Sequence, residues 1–231
     1  MFKPVKYIKK HFKESLSKHK TFHNSVPSLL LKKDIQESVN YAEKNMENCM
    51  MFFESKEIWN FVISKLNHHK NQTALEFGGF QGTSINHLSN GLKNMNFHGF
   101  DSFEGLQEDW TGWSLRKGAF NLNGEMPKVN QNVTLHKGWF DNSLPNFIKE
   151  NRLEDLVLIH IDSDTYEACV TILENLKPFI KSNTFILFDE YFGYRGWKLG
   201  EFKAFQEFVE KHNVNYEYKA FAERQVLIQV K

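Results

Sequence analysis

The chain has 231 residues, 41% of them hydrophobic and 25% charged, which is enough for one sizeable core and excludes a wholly disordered chain. Its two cysteines, Cys49 and Cys169, stand in no metal-ligand or redox spacing, so neither a thiolate zinc site nor a disulfide framework is expected. The net charge of +1 hides an asymmetry: residues 1–33 hold nine lysines against the single acid Glu14, and the remainder has 20 basic and 27 acidic residues.

No apolar run approaches the roughly 20 residues that span a bilayer, and the first lysines are followed by no apolar signal region. The expected compartment is the cytoplasm. A basic arm on an acidic body can mark nucleic-acid or membrane contact. Only four arginines occur, however (Arg116, Arg152, Arg195 and Arg224), and arginine is what phosphate and base recognition prefer. The arm therefore reads as a solvated helical extension, and no nucleic acid is expected as a partner.

Residues 1–70 form this basic helical extension, in which Ile58, Phe61, Val62 and Leu66 recur at helical spacing. Residues 71–231 read as one α/β domain. Its short apolar runs are 73–77, 97–101, 132–136, 155–162 and 184–190, with helices near 83–95, 143–151, 165–180 and 199–212. Strands apolar on both faces and separated by helices predict a Rossmann-like, mostly parallel sheet covered on each side. At the end, YEYKAFA and QVLIQV are separated only by Glu223 and Arg224, which predicts an antiparallel pair.

Ligands of such sheets sit beyond the carboxyl ends of the strands. The residues closing the runs are Glu76 with Gly78, Asp101, Asp162 with Asp164, and Asp189 with Glu190, so nearly every strand ends in an acid. After the first strand, Gly78, Gly79 and Gly82 permit a tight turn, and Thr83 or Ser84 can cap the helix that follows. Phe80 spoils a dinucleotide fingerprint, and no phosphate-binding lysine motif is present. Asp101 lies at the offset where an acid holds ribose hydroxyls in nucleoside-binding folds.

The segments LEFGGFQGTSI, GFDSFEGLQEDW, KGWFDNSLP, LIHIDSDTYEA and LFDEYFGYRGW follow one another in this order. Together they resemble class I S-adenosylmethionine-dependent methyltransferases, and within them the macrocin O-methyltransferase-like branch. The resemblance covers roughly residues 72–230. It implies S-adenosylmethionine held by Glu76, Phe77, Gly78, Gly79, Gly82, Thr83 and Ser84, by Asp101 and Ser102 at the ribose, and by Gly138, Trp139 and Phe140 near the adenine. It implies that the loop 106–131 covers the cofactor. It further implies Mg2+ on Asp162, Asp189 and Glu190, with Glu190 standing where many relatives have Asp.

Clustered carboxylates repel unless a cation or protons compensate them, and oxygen ligands favour Mg2+, Ca2+ or Mn2+ over zinc. Asp164 precedes Thr165, Tyr166 and Glu167 in capping-box spacing and is expected to cap a helix rather than ligate. Asp162 is the candidate proton acceptor. His160 shares its strand face and is the second catalytic candidate, against a buried, satisfied histidine. Tyr191, Tyr194, Arg195 and Trp197 are expected on the acceptor side, with Arg195 or Lys198 as the structural counter-ions if no metal is bound.

The expected function is O-methylation of a sugar, nucleotide sugar or glycosylated small molecule. The rivals are a nicotinamide-dependent oxidoreductase and a non-catalytic binding module. Residues 1–33 are expected to be dispensable for cofactor binding, leaving them a role in a homodimer or in covering the acceptor site.

Overall fold

Alternation along each strand sends apolar residues to both faces of the sheet, so helices are needed on each side. In a computed structural model, which describes residues 25–110, 112–151 and 153–231, the helices are where that requirement puts them. The strands are β1 (Met50–Met51), β2 (Thr73–Phe77), β3 (Asn96–Asp101), β4 (Val133–Lys137), β5 (Leu156–Ile161), β6 (Phe185–Phe188), β7 (Tyr216–Phe221) and β8 (Val226–Val230). The helices are α1 (Val26–Asn45), α2 (Ser55–Leu66), α3 (Thr83–Gly91), α4 (Phe140–Glu150), α5 (Tyr166–Leu176) and α6 (Glu201–His212).

One eight-stranded sheet runs in the order β1-β7-β8-β6-β5-β2-β3-β4. Pairing is parallel everywhere except at β8, which is antiparallel to β6 and β7. The expected α/β class, parallel sheet and terminal antiparallel pair are all present. Leu75, Phe77, Ile159, Ile161, Ile186, Phe188 and Ile228 face one core with α4, α5 and α6. Ala74, Leu158, Leu187 and Leu227 face the other with α2 and α3. The period of two thus sorts each strand between two cores.

The amino-terminal segment is less separate than its composition suggests. β1 extends the sheet at its edge, and Tyr41, Ala42 and Cys49 pack on the larger core. Buried Asp34 and Ser38 on α1 face the loop after β6: Asp34 accepts two hydrogen bonds from Arg195 Nη1 at 2.9 and 3.1 Å, and Ser38 Oγ accepts the Gly193 N–H at 3.0 Å. The docking unit is therefore the whole helix from residue 26, and a boundary at residue 33 cuts through it. Residues 1–24 of the basic arm lie outside the described residues. Among the described residues, no helix is long and apolar enough to cross a membrane.

Where β3 meets β4, His98 Nδ1 and His136 Nε2 are 3.0 Å apart, and Phe147 packs on both rings. Burial, and then the neighbouring His136, holds His98 down from 6.5 to about 4, with Asp155 opposing weakly. Between those two values the unfolded chain binds the proton and the native chain does not. Stability is therefore expected to fall as pH drops from about 6.5 towards 4. Thermal melts at pH 7 and pH 5 should show a smaller acid-side loss in His98→Gln than in the wild type. An equal loss in both would assign the acid sensitivity elsewhere.

Candidate active site

The ladder of backbone hydrogen bonds continues one residue past the strand ends. Gly78 N–H donates to Phe100 O, Asp162 N–H to Phe77 O, and Asp189 N–H to Ile161 O, each at 2.9 Å, and Gly138 N–H donates to Asp101 O at 3.0 Å. The residues after β2, β4, β5 and β6, and Asp101 at the end of β3, are thereby brought into one row. Beyond that row opens a cavity of about 460 Å³. Of the residues expected to bind ligands, Gly78, Asp101, Ser102, Trp139, Phe140, Asp162, Asp189 and Glu190 line it.

Gly78 is at φ +97°, and a Cβ there would lie 1.7 Å from the Asp162 carbonyl oxygen. The loop can come this close to β5 only without a side chain. Asp101 fixes the two flanking turns: its Oδ2 accepts the Phe80 N–H at 2.8 Å and its Oδ1 the Phe103 N–H at 2.7 Å. Burial nevertheless pushes its carboxyl up, against the pull of those two bonds. Each oxygen keeps a lone pair for a hydroxyl donor. Trp139 and Phe140 open α4 at the cavity wall, where Phe140 meets Phe77 edge-on at 5.5 Å.

Other expected ligand residues serve from underneath. Phe77 is in the core, and Glu76 is 1% exposed and does not line the cavity. The register pairs Glu76 with His160 across β2 and β5. Ser84 Oγ donates to Glu76 Oε1 at 2.9 Å, and Glu76 Oε2 lies 2.8 Å from His160 Nδ1. On its other side, His160 Nε2 is 3.8 Å from Asp189 Oδ1, and Gln225 Nε2 donates to the same Asp189 oxygen. Burial works against the imidazolium, yet the Glu76 and Asp189 carboxylates outweigh it and hold His160 well above its ordinary range. Asp189 is correspondingly lowered: burial opposes ionisation, but His160 more than compensates. His160 thus lies below the floor between Glu76 and Asp189, buried and away from the cavity lining. Gly79, Gly82, Thr83 and Gly138 shape the turns without lining the cavity.

On the cavity floor Asp164 stands beside the expected Asp162, Asp189 and Glu190. Asp162, Asp164 and Glu190 offer oxygens within 4.8 Å of one another, while Asp189 turns towards His160. Asp164 does not cap α5. Thr165 is the cap, its Oγ1 accepting the Ala168 N–H at 3.4 Å. Asp164 instead takes the left-handed conformation, φ +62°, which turns its carboxyl into the cluster, and it lines the cavity. Burial, then the charges of Asp189 and Asp164, push Asp162 well above the carboxylate range. Asp164 and Glu190 are likewise pushed up by burial first and by neighbouring acids second. The buried Oε2 of Glu190 has no hydrogen-bond partner. Three hard oxygen donors and an orphaned carboxylate oxygen fit a Mg2+-class cation.

The expected counter-ions are elsewhere: Arg195 pairs with Asp34 at 2.9 Å and Lys198 with Glu37 at 2.6 Å, both on α1. Arg224, from the β7–β8 turn, is the cation that sequence reasoning passed over. Its Nη1 is 3.7 Å from Glu190 Oε1 and its guanidinium lies 5.4 Å from the Trp113 ring centroid. The signal was available, since that turn leaves the sheet at the same end as Asp189. Tyr191, Tyr194 and Trp197 are 0–1% exposed core residues, which removes them from the acceptor side. The loop before β4 instead contributes a wall of the cavity, through Leu106, Trp110, Trp113, Leu115 and Phe120. Trp113 and Tyr194 stack at 6.0 Å, and the backbone of Gly112 closes on Arg195 O.

A doubly wound sheet with a glycine turn after β2, an acid after β3 and a cavity across both defines a nucleoside-cofactor α/β domain. Residues 75–191, just over half the chain, match the methyltransferase domain family, and the chain belongs to it. No curated protein matches the chain. Among solved structures, the calicheamicin methyltransferase CalS11 is similar at 17% identity and a TM-score of 0.62, covering 95% of this chain and 91% of its own. The O-methyltransferase NovP is similar at 18% identity and a TM-score of 0.55, covering 75% and 78%. At these identities the likeness establishes the fold.

Gly78→Ala is expected to abolish binding of S-adenosylhomocysteine and to cost about 1–3 kcal/mol of stability through forced backbone movement. Calorimetric titration and a urea melt check both. Wild-type affinity in this variant would contradict the contact.

Proposed function

We propose that the protein is an S-adenosylmethionine-dependent O-methyltransferase of the macrocin-like branch, assisted by Mg2+, acting on a hydroxyl of a sugar or sugar-bearing small molecule. The observation that carries this reading is the shared floor: the glycine turn at Gly78 rests on the carbonyl of Asp162, one member of the acid trio. Cofactor loop and acids therefore face the same cavity. CalS11 has also been described as a TDP-rhamnose 3'-O-methyltransferase, in a structure similar at a TM-score of 0.52 and 18% identity, covering 76% of this chain and 77% of its own. That supports a sugar hydroxyl here. Two free cysteines suit the reducing cytoplasm.

S-adenosylmethionine supplies an electrophilic methyl group on sulfur. A divalent cation lowers the pKa of a hydroxyl coordinated to it. The chain's own residues do the rest. Asp101 would accept hydrogen bonds from the ribose hydroxyls, and Trp139 and Phe140 would flank the base. Asp162, Asp164 and Glu190 would hold the cation, with Asp189 kept low behind them by His160. The acceptor oxygen would take the methyl group as the carbon–sulfur bond breaks and S-adenosylhomocysteine leaves, and its proton would pass to a carboxylate oxygen of Asp162. Trp110, Trp113 and Phe120 exclude water from the reacting groups, so that positioning supplies much of the acceleration.

Asp101→Ala should weaken S-adenosylhomocysteine by about 1–3 kcal/mol, the cost of lost charged hydrogen bonds, as read by calorimetry. Methyl transfer to a panel of activated sugars, followed by mass spectrometry, should stop in EDTA and return with Mg2+. Asp164→Asn should lose turnover while S-adenosylhomocysteine still binds. Full transfer in chelator with no metal carried over would sink the metal-assisted mechanism.

A further inference from the structure

Glu201 opens α6 and is wholly buried, yet it does not line the cavity. Its two oxygens are divided between two loops. Oε1 accepts the Ser163 N–H at 3.0 Å and the Ser163 hydroxyl at 3.1 Å. Oε2 accepts the Glu190 N–H at 3.2 Å. Ser163 stands between Asp162 and Asp164, so the first oxygen grips the loop that presents two of the three floor acids. The second grips the backbone of the third.

A buried carboxylate is costly unless its hydrogen-bonding capacity is met, and a fourth acid beside three others adds repulsion. Apolar packing alone would be better served by leucine. What a carboxylate offers here is two acceptor oxygens at fixed separation, matched to donors on the β5–α5 and β6–α6 connections. The carboxylate also sits in the first turn of α6, where the helix dipole favours negative charge. Glu190 Oε2, orphaned and buried, shows where the clamped loops aim.

We propose that Glu201 is a positioning residue that sets the separation of Asp162, Asp164 and Glu190, and with it the affinity for the cation. The proposal rests on the metal reading above and extends it to a residue that touches neither metal nor substrate. In Glu201→Gln the amide oxygen can keep one loop, but its NH2 group meets an N–H donor on the other, so one loop loses its acceptor while side-chain volume is kept.

The test uses Mn2+ as probe on the full chain, titrated by electron paramagnetic resonance, alongside calorimetric titration of S-adenosylhomocysteine. Glu201→Gln should bind Mn2+ at least tenfold more weakly and S-adenosylhomocysteine within twofold of wild type. Ser163→Ala, which removes one donor and keeps the backbone bonds, should lose two- to threefold for Mn2+ and serves where Glu201→Gln does not fold. Unchanged Mn2+ affinity overturns the proposal. So does an equal loss of both ligands, which is the signature of a merely structural residue. Failure of the wild type itself to bind Mn2+ overturns the metal reading, and this inference with it.

Discussion

The contact between the α-carbon of Gly78 and the carbonyl of Asp162 is the constraint from which the rest follows. A Cβ at Gly78 would lie 1.7 Å from that oxygen, so the turn after β2 and the end of β5 can be in register only with glycine there. Register in turn fixes the chemistry. Glu76 pairs with His160, the backbone ladder runs past the strand ends, and Asp101, Asp162 and Asp189 arrive at one edge. Parallel strands make this possible, because their carboxyl ends all point the same way.

Charge at that edge is arranged in two layers. The lower one is partnered within the protein: Ser84, Glu76, His160, Asp189 and Gln225 form a chain in which the two carboxylates raise His160 and His160 in turn lowers Asp189. The upper one is left short of positive charge. Among the described residues, the one ion pair to Asp162, Asp164 and Glu190 is from Arg224, 3.7 Å from Glu190 Oε1, and Arg224 on Asp164 and His160 on Asp162 only partly offset the mutual repulsion of the acids. This contrast between the two layers is what the proposed cation would resolve. The lower layer turns Asp189 towards His160, and Glu201 bonds both loops that carry the open layer.

How much of this was legible in the sequence depended on whether a feature is local. Alternation and glycine spacing are local, so the parallel sheet, the turn at Gly78–Gly82 and the acid at Asp101 could be read directly. The polar chain of Glu76, His160, Asp189 and Gln225 joins four strands, and only the register brings its members together. Asp164 was misread because capping-box spacing is a real signal, and Thr165 satisfied the same helix one residue later. Tyr191 and Trp197 follow the acidic pair in sequence, but the connection turns inward and buries them against α1 and α6. Arg224 and Glu201 lie outside every segment that carried the family resemblance, and both reach the site only through the fold.

The most direct measurement is the anomalous scattering of Mn2+ in crystals of the full chain grown with S-adenosylhomocysteine. The account predicts one strong peak within about 2.3 Å of oxygens from Asp162, Asp164 and Glu190, with Asp189 still turned to His160 and the nucleoside ribose on Asp101. A cluster that remains metal-free at saturating Mn2+, closed by Arg224 and protons alone, would contradict it.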